Sequence, residues 1–151
     1  MAYLGRSPGS CSALSKIRFL RRSGDRGGQL TLTALTRTEL LQICLAKRGA
    51  REDYPFGPEP LVMKVGSKMF ALISGGERQA VISLKCEPEA AYLLRQMYEA
   101  VKPGYHLNKQ HWNSVEMNGT IPSDEVRGMI DDSYALVAKR LTKAEKAELG
   151  L

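Results

Sequence analysis

The chain has 151 residues, 43% hydrophobic and 25% charged, with a formal net charge of +6. These are ordinary proportions for one globular domain, and they exclude a wholly disordered or collagen-like chain. No apolar run approaches the roughly 18 residues needed to span a bilayer, so a soluble protein is expected.

The charge is unevenly placed. Residues 1–35 carry Arg6, Lys16, Arg18, Arg21, Arg22 and Arg26 against Asp25, a local excess of +5, while the remainder stands at +1. Any electrostatic case for the folded part must therefore rest on a local patch. Glycine, serine and arginine fill 15 of the first 29 positions, leaving little apolar area to offset the entropy of ordering. Residues 1–35 are thus expected to be a disordered basic extension. A secretory signal does not fit, because arginines interrupt Ile17, Phe19 and Leu20. Two other readings stay open: a mitochondrial presequence, and translated upstream sequence ahead of a true start near Leu32 or Leu35. Cys11, Cys44 and Cys86 lack metal or redox spacing, which fits a reducing, cytoplasmic setting.

The ordered domain is expected over residues 36–151. Thr36-Arg37-Thr38-Glu39 is a capping box, followed by the stripe Leu40, Leu41, Cys44 and Leu45, with Gly49 placed to end the helix. The prolines of 53–60 exclude regular helix and favour a surface connection. Leu61–Val65, Met69–Ser74 and Ala80–Leu84 follow as short apolar segments punctuated by Gly66-Ser67 and Gly75-Gly76, the pattern of a three-stranded meander with tight hairpins. Pro88 opens a second helix with Ala91, Leu94, Met97 and Tyr98 on one face. After a break at Pro103-Gly104, Asn113–Met117 has strand character and Asn118-Gly119 is a turn. Ser123 is placed to cap the longest helix, with Val126, Met129, Ile130, Ser133, Tyr134, Val137 and Leu141 as its stripe, and Thr142–Glu145 forms a second capping box. The order α-β(3)-α-β(2)-α predicts an α+β domain with an antiparallel sheet packed against helices.

Three segments carry a resemblance: Lys64-Val65-Gly66-Ser67-Lys68-Met69-Phe70-Ala71, Ser83-Leu84-Lys85, and above all His106-Leu107-Asn108-Lys109-Gln110-His111-Trp112. Over about residues 36–149 the chain is similar to the MmcQ/YjbR family of small bacterial proteins. The resemblance implies a secretion-chaperone-like α+β fold and the double-wing DNA binding proposed for family members.

Chemistry concentrates in the last of these segments. Between Glu99 and Glu116 there is no acid, while Lys102, Lys109, His106, His111, Tyr105, Asn108 and the single Trp112 all occur. Lysines neutralise phosphates, His and Asn bond phosphate oxygens or base edges, and Tyr and Trp stack on bases. Lys64, Lys68, Lys85 and Arg95 would widen such a patch if the sheet presents them on one side. The bland alternative is a structural clasp joining the sheet to the last helix, with Trp112 as a packing anchor and His106 and Asn108 bonded to loop backbone.

His106 and His111 are five apart with no cysteine or carboxylate between them, so no metal site is expected. No phosphate-binding glycine loop, nucleophile elbow or zinc-helix motif is present, and no cofactor or enzymatic activity is expected. Asp131-Asp132 is a solvated helix face, since adjacent helical positions diverge by about 100°. The expected function is DNA binding, with Lys85, Lys109 and neighbouring basic groups on phosphates and His106, Asn108 and His111 as polar contacts; the alternative is a non-enzymatic protein-interaction module, either a homodimer or a chaperone-like binder of an extended peptide at a sheet edge.

Overall fold

A computed structural model describes residues 34–104 and 107–151. Expectations for residues 1–33, Cys11 included, lie outside the described residues. The packed domain takes in Leu35, which the sequence reading leaves in the extension: its side chain is buried in the main core.

Helix α1 (Arg37–Leu45) begins as the sequence predicts, with Glu39 N–H donating to Thr36 Oγ1 at 3.1 Å and Thr36 N–H to Glu39 Oε1 at 2.9 Å. It ends at Leu45 with Ala46 as C-cap, before Gly49. Strand β1 (Ala50–Asp53) follows, then β2 (Leu61–Val65), β3 (Lys68–Gly76) and β4 (Gln79–Lys85). Helix α2 (Pro88–Met97), β5 (Val101–Pro103), β6 (Trp112–Glu116), α3 (Ser123–Lys139) and α4 (Lys143–Leu149) complete the chain. All strand pairs are antiparallel, in the order β1-β2-β3-β4-β6-β5.

Three local expectations are corrected. Strand β1 adds an edge that the sequence reading does not contain, and Asp53 is its last residue rather than part of the connection. Its Ala-Arg-Glu-Asp composition lacks apolar alternation because an edge strand half open to water does not need it. Gly75 and Gly76 pair with Ala80 and Gln79, so the β3–β4 turn is Glu77-Arg78. Gly75 has φ +89°, and a Cβ there would lie 2.3 Å from the Gln79 carbonyl oxygen. Ser123 is the first helical residue of α3 and Pro122 the N-cap, with the Glu125 and Val126 N–H groups on the Pro122 carbonyl.

The helices lie on one face of the sheet: α1 against β1, β3 and β4, α3 against β2, β3 and β4, and α2 against β5 and β6. Leu40, Met63, Phe70, Ile73, Ile82 and Ile130 fill the layer between. The β2–β3 register steps between Met63 and Lys64, so that Met63 faces Ala71 while Lys64 faces Met69 and Phe70 is the extra residue of a bulge. Phe70 turns its ring edge-on to Tyr134 at 5.3 Å. Its carbonyl accepts from Ser133 Oγ at 2.6 Å, and the same hydroxyl accepts from the Lys85 backbone N–H at 2.9 Å. Ser133 is fully buried. It supplies the partners that the β3–β4 ladder, ending at Ala71 and Leu84, does not.

Helix α4 is held by its capping box and by the β2–β3 turn. Glu145 accepts from Ser67 N–H at 2.7 Å and from Thr142 N–H at 3.2 Å. Gly66, at φ +61°, leaves room for this contact: a Cβ there would meet Glu145 Oε1 at 2.7 Å and Leu141 at 2.9 Å.

Two predictions follow from these contacts. Ser133→Ala leaves two backbone groups without their partner and should cost about 2–4 kcal/mol, read as a lower denaturant midpoint at unchanged slope. The hydrogen bonds from Ser67, with those from Thr142, hold the Glu145 carboxyl down at about 2, against an ordinary 4.5. A depressed carboxyl stabilises the fold above its unfolded value, and that contribution disappears as pH falls from about 4.5 towards 2. Glu145→Gln should flatten the pH dependence of the urea midpoint across this window, and an unchanged profile would count against the latch.

Candidate functional site

Among the described residues of the loop between β5 and β6, polar groups turn back on the loop itself. Tyr105 and His106 lie outside the described residues. Asn108 Oδ1 accepts from Gln110 N–H at 2.9 Å, and the Asn108 carbonyl accepts from the N–H groups of His111 at 3.1 Å and Trp112 at 2.9 Å, folding the chain into β6. Lys109 Nζ donates to the Gly104 carbonyl at 3.1 Å. From α2, Arg95 Nε donates to Asn113 Oδ1 at 2.6 Å, and its terminal nitrogen reaches the Trp112 carbonyl at 3.3 Å and the Lys109 carbonyl. Asn113 Nδ2 in turn donates to the Ala91 carbonyl at 3.3 Å. The half-buried His111 accepts through its carbonyl from Cys86 N–H at 2.7 Å.

This loop is therefore a clasp, and it fastens the sheet to α2 rather than to the last helix. Carbonyls at the end of a strand need donors, and a guanidinium offers several in a fixed fork. Of the residues expected to meet a nucleic acid, Arg95, Lys109 and Trp112 are turned to the protein itself. Arg95 and Lys109 donate to backbone carbonyls, and Trp112 is 7% exposed, packed with Val62 and Leu72 and flanked by Met69 and Leu107.

The sheet register does bring some of the predicted residues to one side. On the face opposite the helices, Arg51, Lys64 and Met69 are cross-strand neighbours, and Lys85 and Trp112 are paired beyond them. Lys64 is ion-paired with Asp53 at 2.8 Å, and Lys102 with Glu116 at 2.9 Å. Burial, followed by the positive charges of Arg140 and Lys68, pushes the Lys85 ammonium below the usual lysine range. Burial pushes the thiols of Cys44 and Cys86 up to about 12, so both stay neutral and unreactive at physiological pH.

The same face holds a groove of about 770 Å³ that the sequence reading missed. Its floor is built from cross-strand rows: Leu72, Ser83, Ser114 and Lys102 in one, Ser74, Val81 and Glu116 in the next. Ser83 Oγ and Ser114 Oγ share a hydrogen bond of 2.8 Å. Phe56, 63% exposed, and Pro60 form one wall, and Pro103 and Leu107 another. Arg37 steadies the first wall by pairing with Glu59 at 2.6 Å while donating to the Gly75 carbonyl at 2.6 Å. A signal was available in the sequence. Leu61-Val62-Met63 and Ala71-Leu72-Ile73 are apolar on both faces, as strands are when neither side is simply left to water.

Among the described residues, no group of three or more His, Cys, Asp or Glu side chains is placed to hold a metal ion. No helix among them is long and apolar enough to cross a membrane.

Comparison with known proteins places this architecture. The YjbR family model matches residues 45–136. YjbR of Escherichia coli K12, described only as an uncharacterized protein, is 38% identical over 115 residues, covering 76% of this chain and 97% of its own. YyaQ of Bacillus subtilis, described in the same way, is 32% identical over 117 residues, 68% of this chain and 98% of its own. The crystal structure of Deinococcus radiodurans DR2400 superposes with a TM-score of 0.72 at 40% identity, covering 78% of this chain and 90% of that one. With the α+β architecture, the matched segment and these relatives in agreement, the chain belongs to the YjbR family.

Proposed function

We propose that the chain is a non-enzymatic protein-interaction module that receives an extended, uncharged, apolar segment of a partner polypeptide on the open face of its sheet. The groove carries this reading. Its walls are Phe56, Pro60, Pro103 and Leu107, and its floor alternates apolar side chains with serine hydroxyls. A volume of about 770 Å³ is the size of a specific pocket, and an extended segment delivers every second side chain to the surface beneath it. The charges that line the groove are already matched, Lys102 by Glu116 on the floor and Arg37 by Glu59 at the wall, which favours an uncharged occupant.

Docking at a sheet edge has less support. Strand β1 presents Arg51, Glu52 and Asp53, and β5 has three residues, of which Pro103 lacks an N–H. Both are devices that discourage strand addition. DNA contact by the loop also loses support, because Arg95 and Lys109 donate to carbonyls and Lys64 is paired with Asp53.

Trp112 is a built-in reporter, since Leu72 and Leu107 touch both its cluster and the groove. The full chain is titrated with uncharged decapeptides alternating Leu and Ser while Trp112 emission is followed. The expected result is saturable binding that weakens about tenfold in Phe56→Ser, the loss of one buried aromatic contact, and is unchanged in Lys109→Ala. Two results would overturn it. One is a silent Trp112 together with salt-steep duplex-DNA binding that Lys109→Ala weakens. The other is a dimer dispersed by Phe56→Ser, which would make a second copy the occupant.

A further inference from the structure

A second feature stands apart from the groove, at the end of the sheet where the β2–β3 turn lies. Lys85 closes β4, and its backbone N–H is bonded to Ser133 of α3. Arg140, at the C-cap of α3, follows Ser133 by seven residues, two helical turns on and on the same side. Leu141 and Glu145 then meet the Gly66-Ser67 turn, and Lys68 is the next residue, opening β3. The backbone positions of three cationic residues from three elements thus converge at one corner of the molecule, where the charges of Arg140 and Lys68 act on the Lys85 ammonium.

Arg37, Lys47, Lys64 and Lys102 are each ion-paired with a carboxylate. Among the described residues, Lys68, Lys85 and Arg140 have no ion pair and no side-chain hydrogen bond. Of the nearby acids, Glu145 is occupied by Ser67 and Thr142. Glu87 acts on Lys85 more weakly than Arg140 and Lys68 do. Like charges held this close repel one another, and an anion seated among them would relieve the repulsion while accepting charge-assisted hydrogen bonds.

We propose that Lys68, Lys85 and Arg140 form a subsite for the phosphate group of a ligand. A guanidinium beside two ammonium groups suits tetrahedral phosphate oxygens, and the exposed setting of Lys68 and Arg140 suits a group carried by a larger molecule. The phosphate has two possible sources, a small phosphorylated compound or a nucleic-acid backbone. Burial of Lys85 strengthens the case, since a partly desolvated ammonium gains more from an anion than a fully hydrated one.

Sodium pyrophosphate is titrated into the full chain and followed by the lysine Cε resonances, with Lys85→Gln and Arg140→Gln as variants and circular dichroism to confirm their folding. Saturable binding is expected, each variant weakening it about fivefold, with the titration of Lys85 moving to higher pH when pyrophosphate is bound. Phe56→Ser should leave it unchanged, which separates this site from the groove. A parallel arm with duplex DNA distinguishes the sources. A nucleic-acid source predicts that Lys85→Gln lowers the salt slope by about one, and a small-molecule source predicts DNA retention that neither variant alters. Absence of saturable pyrophosphate binding, or binding unchanged in both variants, overturns the site.

Discussion

The hydroxyl of Ser133 is the contact on which the arrangement of this domain turns. An extra residue in β3 spoils the register beside Phe70, and without another donor its carbonyl would be buried and unsatisfied. Ser133 gives its proton to that carbonyl and takes one from the Lys85 N–H, so a helix side chain completes the sheet at the place where the ladder stops. One hydroxyl thereby fixes the height of α3 over the sheet, the rotation of Phe70 towards Tyr134, and the point where β4 hands over to the segment leading into α2. A serine in an otherwise apolar helical stripe is explained by this double duty.

The layer so anchored is one-sided. Three helices cover one face of the sheet, while among the described residues the other is sheltered only by the connection after β1 and the clasp before β6. Both shelters are held by arginines donating to backbone carbonyls, Arg37 at Gly75 and Arg95 at Trp112. The groove between them is thus a consequence of topology. A sheet of six strands is wider than two short loops can cover, and the apolar residues of the middle strands line what is left. That gives the proposed binding on the open face a physical basis in the fold itself. The basic corner at the end of α3 arises separately, from the convergence of a strand start, a strand end and a helix end.

Legibility followed locality. Both capping boxes, the hairpin at Gly66-Ser67 and the proline at the start of α2 are settled by neighbours within a few residues and stand in the structure as the sequence predicts, while the stripe of α1 holds at Leu40 and Cys44 but leaves Leu45 exposed. Strand β1 escaped because its partner β2, rather than its own pattern, makes it a strand. The segment from Leu107 to Trp112 was legible as unusual, but the direction of its chemistry was not. Whether Lys109 and Arg95 point to solvent or to carbonyls depends on where α2 and β6 meet, and they are brought together only by folding.

By itself, then, the sequence determined the kinds of element, most of their boundaries, the antiparallel α+β class and the family resemblance, because short-range hydrogen bonding and hydrophobic periodicity write these into adjacent residues. Tertiary structure decided the bulge at Phe70, the inward turn of Trp112, the pairing of Lys64 with Asp53, the open groove, and the meeting of Lys68, Lys85 and Arg140. Each of those joins residues from separate elements, and only the packing of helix on sheet brings them within reach of one another.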